Sequence, residues 1–312
     1  MRCEMDKLLK RMLTIVTLLV TLMALPAVAL NVDIVTADNN PATLNLARAA
    51  EHALQQIHPS LNTTVTTVAS INKNAPRDRL LVAIGDDMLE WTSSPENTYS
   101  ATLCFYVSSS SYAQLKNKTQ SSALFRDQPL ARQIQLARTL LPEAHSALVI
   151  HSQPLFVDAT ATAAQRINNF TLNVYAVDVD QDWAKPLSRW VSENDVLIGI
   201  EDKYLYNRST IRSVLLTTYR HGKVLIGPNR AFVGAGSLAS AYTSPEQYLL
   251  QLQAMVQIWH DSRVLPQPQY PTLYQININR QVASSLGLTL PDDQVLLKTL
   301  QNQLQQFGEL PR

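Results

Sequence analysis

Two adjacent carboxylates, Glu201 and Asp202, follow directly on the apolar run Val196 to Ile200. A short, continuously apolar run reads as a strand buried on both faces, so the pair stands in the loop just past its end. A carboxylate in that place can hold an ammonium group, and Asp202 reads equally well as a solvated loop acid. A carboxylate would be held by hydroxyls, amides or helix-start N–H groups, for which Ser108, Ser109, Ser152 and Ser237 are candidates. Arg230, close to Phe232, can grip an anionic or aromatic group or simply make a surface contact. Asp127 is a ligand candidate whose position also suits a helix cap. Tyr204 and Tyr206 are candidates for the wall of such a site, or for ordinary packing. The chemistry these residues share is non-covalent capture of a small polar solute.

Catalysis is not expected, and no catalytic residue is assigned. The sequence has no Gly-x-Ser-x-Gly elbow, His-Glu-x-x-His helix, phosphate loop or paired-cysteine motif. His52, His58, His145, His151, His221 and His260 are scattered, without metal-ligand spacing, so neither a metal nor a cofactor is expected. Cys104 lies in the apolar run Leu103 to Val107 and reads as a small buried side chain rather than a nucleophile.

The elements that position the candidates alternate between strand and helix. After Val196 to Ile200, Asn207 can cap a helix whose stripe is Ile211, Leu215 and Thr218, and Lys223 to Ile226 is the next parallel strand. Ligands in such sheets bind beyond the carboxyl ends of the strands, which selects the loops Glu201 to Tyr206 and Pro228 to Phe232. Upstream, strands are expected at Val32 to Val35, Val65 to Ala69, Leu80 to Ile84, Ala101 to Val107 and Ala147 to Ile150. A helix follows Asn40-Pro41 with Leu46, Ala50, Ala53, Leu54 and Ile57 on its buried stripe, ending at Pro59. Another covers Pro129 to Leu141 with Asp127 as its cap.

At His151 to Pro154 the alternation pauses and restarts, which reads as the passage between two similar lobes. The second half has an Ala-rich helix at 160–169, a strand near Leu172 to Val177 and a helix from Trp183 to Trp190. Ser244-Pro245-Glu246-Gln247 is a capping box opening a helix that carries Leu249, Leu252, Val256 and Trp259. An extended connector marked by Pro266, Pro268 and Pro271 leads to a strand at Leu273 to Ile278, a short helix through Ala283 and a last helix from Asp292.

The 312 residues suffice for two lobes, and their 46% hydrophobic content can fill two cores. Residues 1–29 read as a cleaved secretory leader: a basic start, the apolar run Met12 to Leu25 and the small-residue site Ala27-Val28-Ala29, the alternative being an uncleaved anchor, for which the run is shorter than the roughly 20 residues that span a bilayer. Beyond it the chain carries 22 basic and 23 acidic residues, a balance that gives no electrostatic reason to expect nucleic acid as a partner. A periplasmic location is the expectation, with Cys104 then the single cysteine and no disulfide within the chain.

Three stretches resemble the substrate-binding proteins of ABC transporters, in the branch with a type I periplasmic-binding fold that includes aromatic amino acid binders. They are Phe125 to Gln133 with Leu140-Leu141-Pro142; Leu215 to Arg220 with Val224 to Gly227 and Gly234 to Ala239; and Ile276 to Asn279 with Ala283, Leu286-Gly287-Leu288 and Pro291. The resemblance implies an α/β fold of two Rossmann-like lobes with parallel sheets, joined by about three crossings of the chain and closing on a ligand cleft between them. It places residues 30–150 and about 232–263 in the first lobe, and 151–231 and about 268–312 in the second. Gln128, within the first stretch, and Asn229, just past Gly227, join the ligand candidates. Relatives often carry Pro-Asp where this chain has Glu201-Asp202, and Phe-Ser where it has Pro228-Asn229, so of the first pair only Asp202 carries over.

The expectation is a monomeric periplasmic protein that captures an amino acid or similar small polar ligand for an inner-membrane ABC permease. The alternative is an interaction or sensory protein of the same fold that reports to a sensor or outer-membrane receptor without transport.

Overall fold

The computed structural model describes residues 31–57, 61–71, 79–116, 118, 120–152, 170–178 and 180–306. The expected leader, the Ala-rich helix at 160–169 and the helix end at Pro59 lie outside the described residues.

The first half builds β1 (Asn31–Thr36), α1 (Pro41–Ile57), β2 (Asn62–Thr67), β3 (Leu80–Ile84), α2 (Leu89–Thr92), β4 (Ala101–Val107), α3 (Ser109–Ala113) and β5 (Ser121–Phe125). The second builds α4 (Leu130–Leu140), β6 (Ser146–His151), β7 (Thr171–Ala176), α5 (Ala184–Ser192), β8 (Val196–Ile198), α6 (Ile211–Arg220), β9 (Val224–Ile226), α7 (Arg230–Ala235) and β10 (Ala239–Tyr242). It continues through α8 (Pro245–Ser262), β11 (Gln275–Ile278), α9 (Arg280–Ser285) and α10 (Asp293–Gln306). The strands form two sheets, ordered β2-β1-β3-β4-β5 and β11-β10-β9-β8-β6-β7. Their pairings are parallel apart from the antiparallel pair of β10 and β11.

Continuous apolar runs become central strands because both faces of each sheet are covered, and the period of two shares each run between two cores. In β3, Leu80, Val82 and Ile84 face one cluster while Leu81 and Ala83 face another. Likewise Val196 and Ile198 of β8 lie in the cluster with α4, and Leu197 lies on the opposite face with Leu187 and Val214. Asn40 caps α1 by accepting from the N–H of Ala42 at 2.9 Å. The capping box of α8 is formed by both of its bonds, Gln247 N–H to Ser244 Oγ and Ser244 N–H to Gln247 Oε1. A cap of this kind contributes about 1 kcal/mol.

Several expectations shift. The second strand starts at Asn62, three residues early, because its β-branched threonines pair with β1, and Val68–Ser70 turns into a short 3-10 segment. β5 and β10, short and partly polar, were not legible as strands. Asp127 does not cap α4, whose first turn follows Pro129 with no side-chain cap. The lobe boundary also moves. The residues of α4 pack with β6, β8, β9 and β11, not with the first sheet, so the first crossing is at 126–129 rather than 151. Residues 239–242 stay in the second sheet, and α8 returns to the first core, through Tyr248, Leu252, Met255, Val256 and Trp259. The chain therefore crosses at 126–129, at 243–244 and along 263–272. The last crossing runs beside β5, where Gln269 bridges Leu124.

Candidate functional site

Parallel strands place all their carboxyl ends on one side, and both sheets present that side to a groove between the lobes. From the first lobe come Asp86 after β3, Tyr106 at the end of β4 and Arg126 after β5; from the second come Glu201 after β8, Asn229 and Arg230 after β9, and Thr243 after β10. The groove has an inner chamber of about 480 Å³ and an outer one of about 650 Å³. Arg126 and Glu201 line both chambers and so stand where the two meet.

Arg126 is paired with Asp86 at 2.9 Å. Burial opposes its charge, but the carboxylates of Asp86 and Glu201 outweigh that and hold the guanidinium above its ordinary value. Across the groove, Glu201 accepts from the side-chain amide of Asn229 at 2.9 Å. The inner chamber is walled by Tyr106, Tyr242 and Tyr248, with the Tyr106 and Tyr248 rings edge to face at 5.1 Å between centroids. Burial, and then the charge of Glu201, raise the Tyr106 hydroxyl above its usual range. Tyr106 has φ 60°, in the left-handed region, where the pairing of β4 with β5 slips between Phe105 and Val107. A bulky residue there carries backbone strain, a feature that gathers at binding sites.

Two glycines allow the second lobe's loops to close up. A Cβ at Gly199 would lie 2.8 Å from the ring of Pro228, and one at Gly227 would lie 2.6 Å from Phe232 Cβ and 2.8 Å from Ser237 Oγ. Both expected loops, Glu201 to Tyr206 and Pro228 to Phe232, contribute to the groove.

The sequence candidates divide. Gln128, Glu201, Asn229 and Arg230 line the inner chamber, the last with its guanidinium 5.6 Å from the Tyr242 ring centre. Ser108, Glu201, Asp202 and Tyr204 line the outer one. Ser108 is largely engaged in the fold, capping α3 through Ser111 N–H at 3.0 Å and donating its own N–H to Asp86 at 2.7 Å. Ser109 gives its N–H and hydroxyl to Asp127, so these two satisfy each other beneath the groove. Ser152 does the same with Asp202: N–H to Oδ2 at 2.6 Å and hydroxyl to Oδ1 at 2.8 Å. Asp202 also accepts from the N–H groups of Tyr204 and Leu205, which leaves it a loop-former that touches the groove. Ser237 is fully buried behind Gly227 and lines neither chamber, and Tyr206 is packed in the core against Phe232.

Sequence reasoning missed Asp86, Tyr106, Arg126, Tyr242, Thr243, Glu246 and Tyr248. Asp86 and Tyr106 stand at strand ends, the signal used for Glu201, applied there to the second lobe only. Tyr242 and Thr243 stand at the end of β10, a strand that was not recognised, and Glu246 lies on the first turn of α8, where it read only as part of the capping box.

The two doubly wound lobes, the crossings between them and the groove at the strand ends define the type I periplasmic-binding fold. Solved structures agree. A ligand-free, open substrate binding protein with adhesive properties from Clostridium difficile is 16% identical over 84% of this chain and 96% of its own, with a TM-score of 0.60. An ABC domain in complex with L-Trp from Streptococcus pneumonia is 16% identical over 86% of this chain and 97% of its own, at 0.56. A periplasmic ribose ABC transporter from Conexibacter woesei is 9% identical over 83% and 95%, at 0.50. Neither a protein-family model nor a curated protein matches the sequence. Among the described residues no helix is long and apolar enough to cross a membrane, and no group of side chains could hold a metal ion.

Proposed function

We propose that this chain is a periplasmic solute-binding protein that captures an amino acid or a similar small zwitterion between its lobes and presents it to an inner-membrane ABC permease. The observation that carries the reading is the facing of Arg126, from the first lobe, and Glu201, from the second, where the two chambers join. A guanidinium has five N–H donors, so the pair with Asp86 leaves Arg126 able to take a ligand carboxylate. Glu201, steadied by Asn229, takes the ammonium. The two ends of one ligand then hold opposite lobes, and only such two-sided contact gives the differential affinity that favours closure. Tyr106, Tyr242 and Tyr248 offer apolar rings with polar tips to whatever side chain the ligand carries. The L-Trp bound by the Streptococcus structure is consistent with a zwitterion in a groove of this fold.

The alternative is a protein of the same fold that reports occupancy to a sensor or outer-membrane receptor without transport. The Glu201–Asn229 bond favours keeping it, since it joins two of the positions where this chain departs from the transport relatives it resembles.

The test is a thermal-shift screen of refolded protein against amino acids, small peptides, sugars and organic anions. A ligand at about 100 times its dissociation constant adds roughly 2.7 kcal/mol of stability. A dose-dependent rise with amino acids, abolished in both Glu201→Gln and Arg126→Met, is the expected result. A response confined to sugars or to anions overturns the zwitterion, and a flat panel with folded protein overturns solute capture. Copurification of a permease, against that of a sensor or receptor, separates the two readings.

A further inference from the structure

We propose that Arg132, Gln128 and Thr243 form a clasp that sets how far the two lobes open, built partly from the wall of the groove itself. The inference rests on the reading of the groove as a closing cleft and adds what regulates the closure. Lobes that rotate must twist their three crossings against one another, and here all three are tied by side chains. Arg132 Nη1, on the first turn of α4, donates to the carbonyl of Pro271 in the third crossing at 2.9 Å and to Gln128 Oε1 in the first at 2.5 Å. Gln128 Nε2 donates to Thr243 Oγ1 in the second at 3.0 Å, and that hydroxyl donates to the carbonyl of Leu273 at 2.8 Å.

The bonds all run in one direction away from a cation, so each polarises the next. Arg132 is 4% exposed and lies 3.9 Å from the centre of the Tyr274 ring, which fixes the head of the chain. A second tie reinforces the same place: Gln251 Oε1, on α8, accepts from the Thr272 N–H and hydroxyl. Gln128 and Thr243 also line the inner chamber. A solute that bonds to either one draws on the groups that join the crossings, so occupancy and opening are linked without any contact between the lobes' outer rims.

The experiment measures opening directly. Gln56 on α1 and Arg220 on α6 are exposed and lie on opposite lobes, whereas Cys104 is buried and will not be labelled. Spin labels at Gln56→Cys and Arg220→Cys, in protein lacking the leader, give the interlobe distance distribution by pulsed electron resonance. With no ligand added, the parent and Thr243→Ser are expected to share one narrow distribution, while Thr243→Val and Gln128→Ala broaden or displace it. Identical distributions in all four overturn the clasp, as does an equal displacement by serine and valine. Thr243→Val is nearly isosteric and carries the test should Gln128→Ala not fold. Because no solute enters the measurement, a flat ligand screen and a failed clasp are separate outcomes.

Discussion

Asp127 accepts two hydrogen bonds from Ser109, one from the backbone N–H at 2.8 Å and one from the hydroxyl, and so fastens the first crossing to the start of α3. Burial pushes this carboxyl up to about 6 from an ordinary 3.8, against the pull of the Ser109 bonds and with a small further push from Glu201. The folded protein therefore holds more protons than the unfolded chain between those two values. Stability from this group is full below pH 3.8 and is lost as pH rises through about 6, an effect of about 2 to 3 kcal/mol. Asp127→Asn removes that slope. Urea unfolding of both proteins at several pH values from 4 to 8 should show the parent losing stability relative to the variant as pH rises. A constant difference would place the proton elsewhere.

Asp202→Ala is expected to act on the fold before it acts on any ligand. Its carboxylate serves the N–H and hydroxyl of Ser152 and the N–H groups of Tyr204 and Leu205, and the residue is 4% exposed. Removing it strands several donors, at a cost of about 2 to 4 kcal/mol. Thermal melts should show a large drop for alanine and a smaller one for asparagine, which keeps an acceptor. A melt like the parent's would return Asp202 to the list of free ligand groups.

Tyr106 gives a contrast between glycine and alanine. At φ 60° alanine keeps the strain while glycine relieves it, so Tyr106→Gly should be more stable than Tyr106→Ala by about 1 kcal/mol. Both lose the ring that meets Tyr248 and should bind solute more weakly. Equal stability of the two variants would show that the backbone relaxes when the ring is gone.

Gly227→Ala tests the close approach of the second lobe's loops. Its Cβ would overlap Phe232 Cβ and Ser237 Oγ, at 2.6 and 2.8 Å, and the loop carrying Asn229 and Arg230 must move. A loss of about 1 to 3 kcal/mol is expected, together with weaker solute binding. Gly234→Ala, with open space around its Cβ, is the control that should change little.

What the sequence determined was the set of central strands and the positions of most helices. Leu80 to Ile84 and Val196 to Ile200 are too continuously apolar to be covered on one face only, and Ser244 to Gln247 carries a complete cap within four residues. These are local signals, and a parallel α/β sheet follows from them because its crossovers must cover both faces. The loops past Ile198 and Ile226 were legible as groove for the same reason.

Tertiary structure alone decided which polar groups are free. Ser152 and Asp202 stand 50 positions apart, and Ser109 and Asp127 stand 18 apart, yet each pair spends its hydrogen-bonding capacity internally. Nothing in the residue types reveals that, since a hydroxyl or carboxylate satisfied by the fold and one open to a ligand are the same residue in sequence. The packing of α4 against the second sheet was likewise invisible. An amphipathic helix declares that it will bury a face, but only the packed chain settles which sheet receives it. Arg126 and Glu201 face each other for that reason: helices packed onto the opposite lobe carry the chain across between β5 and β6 and again after β10, and so bring two sets of strand ends to one groove.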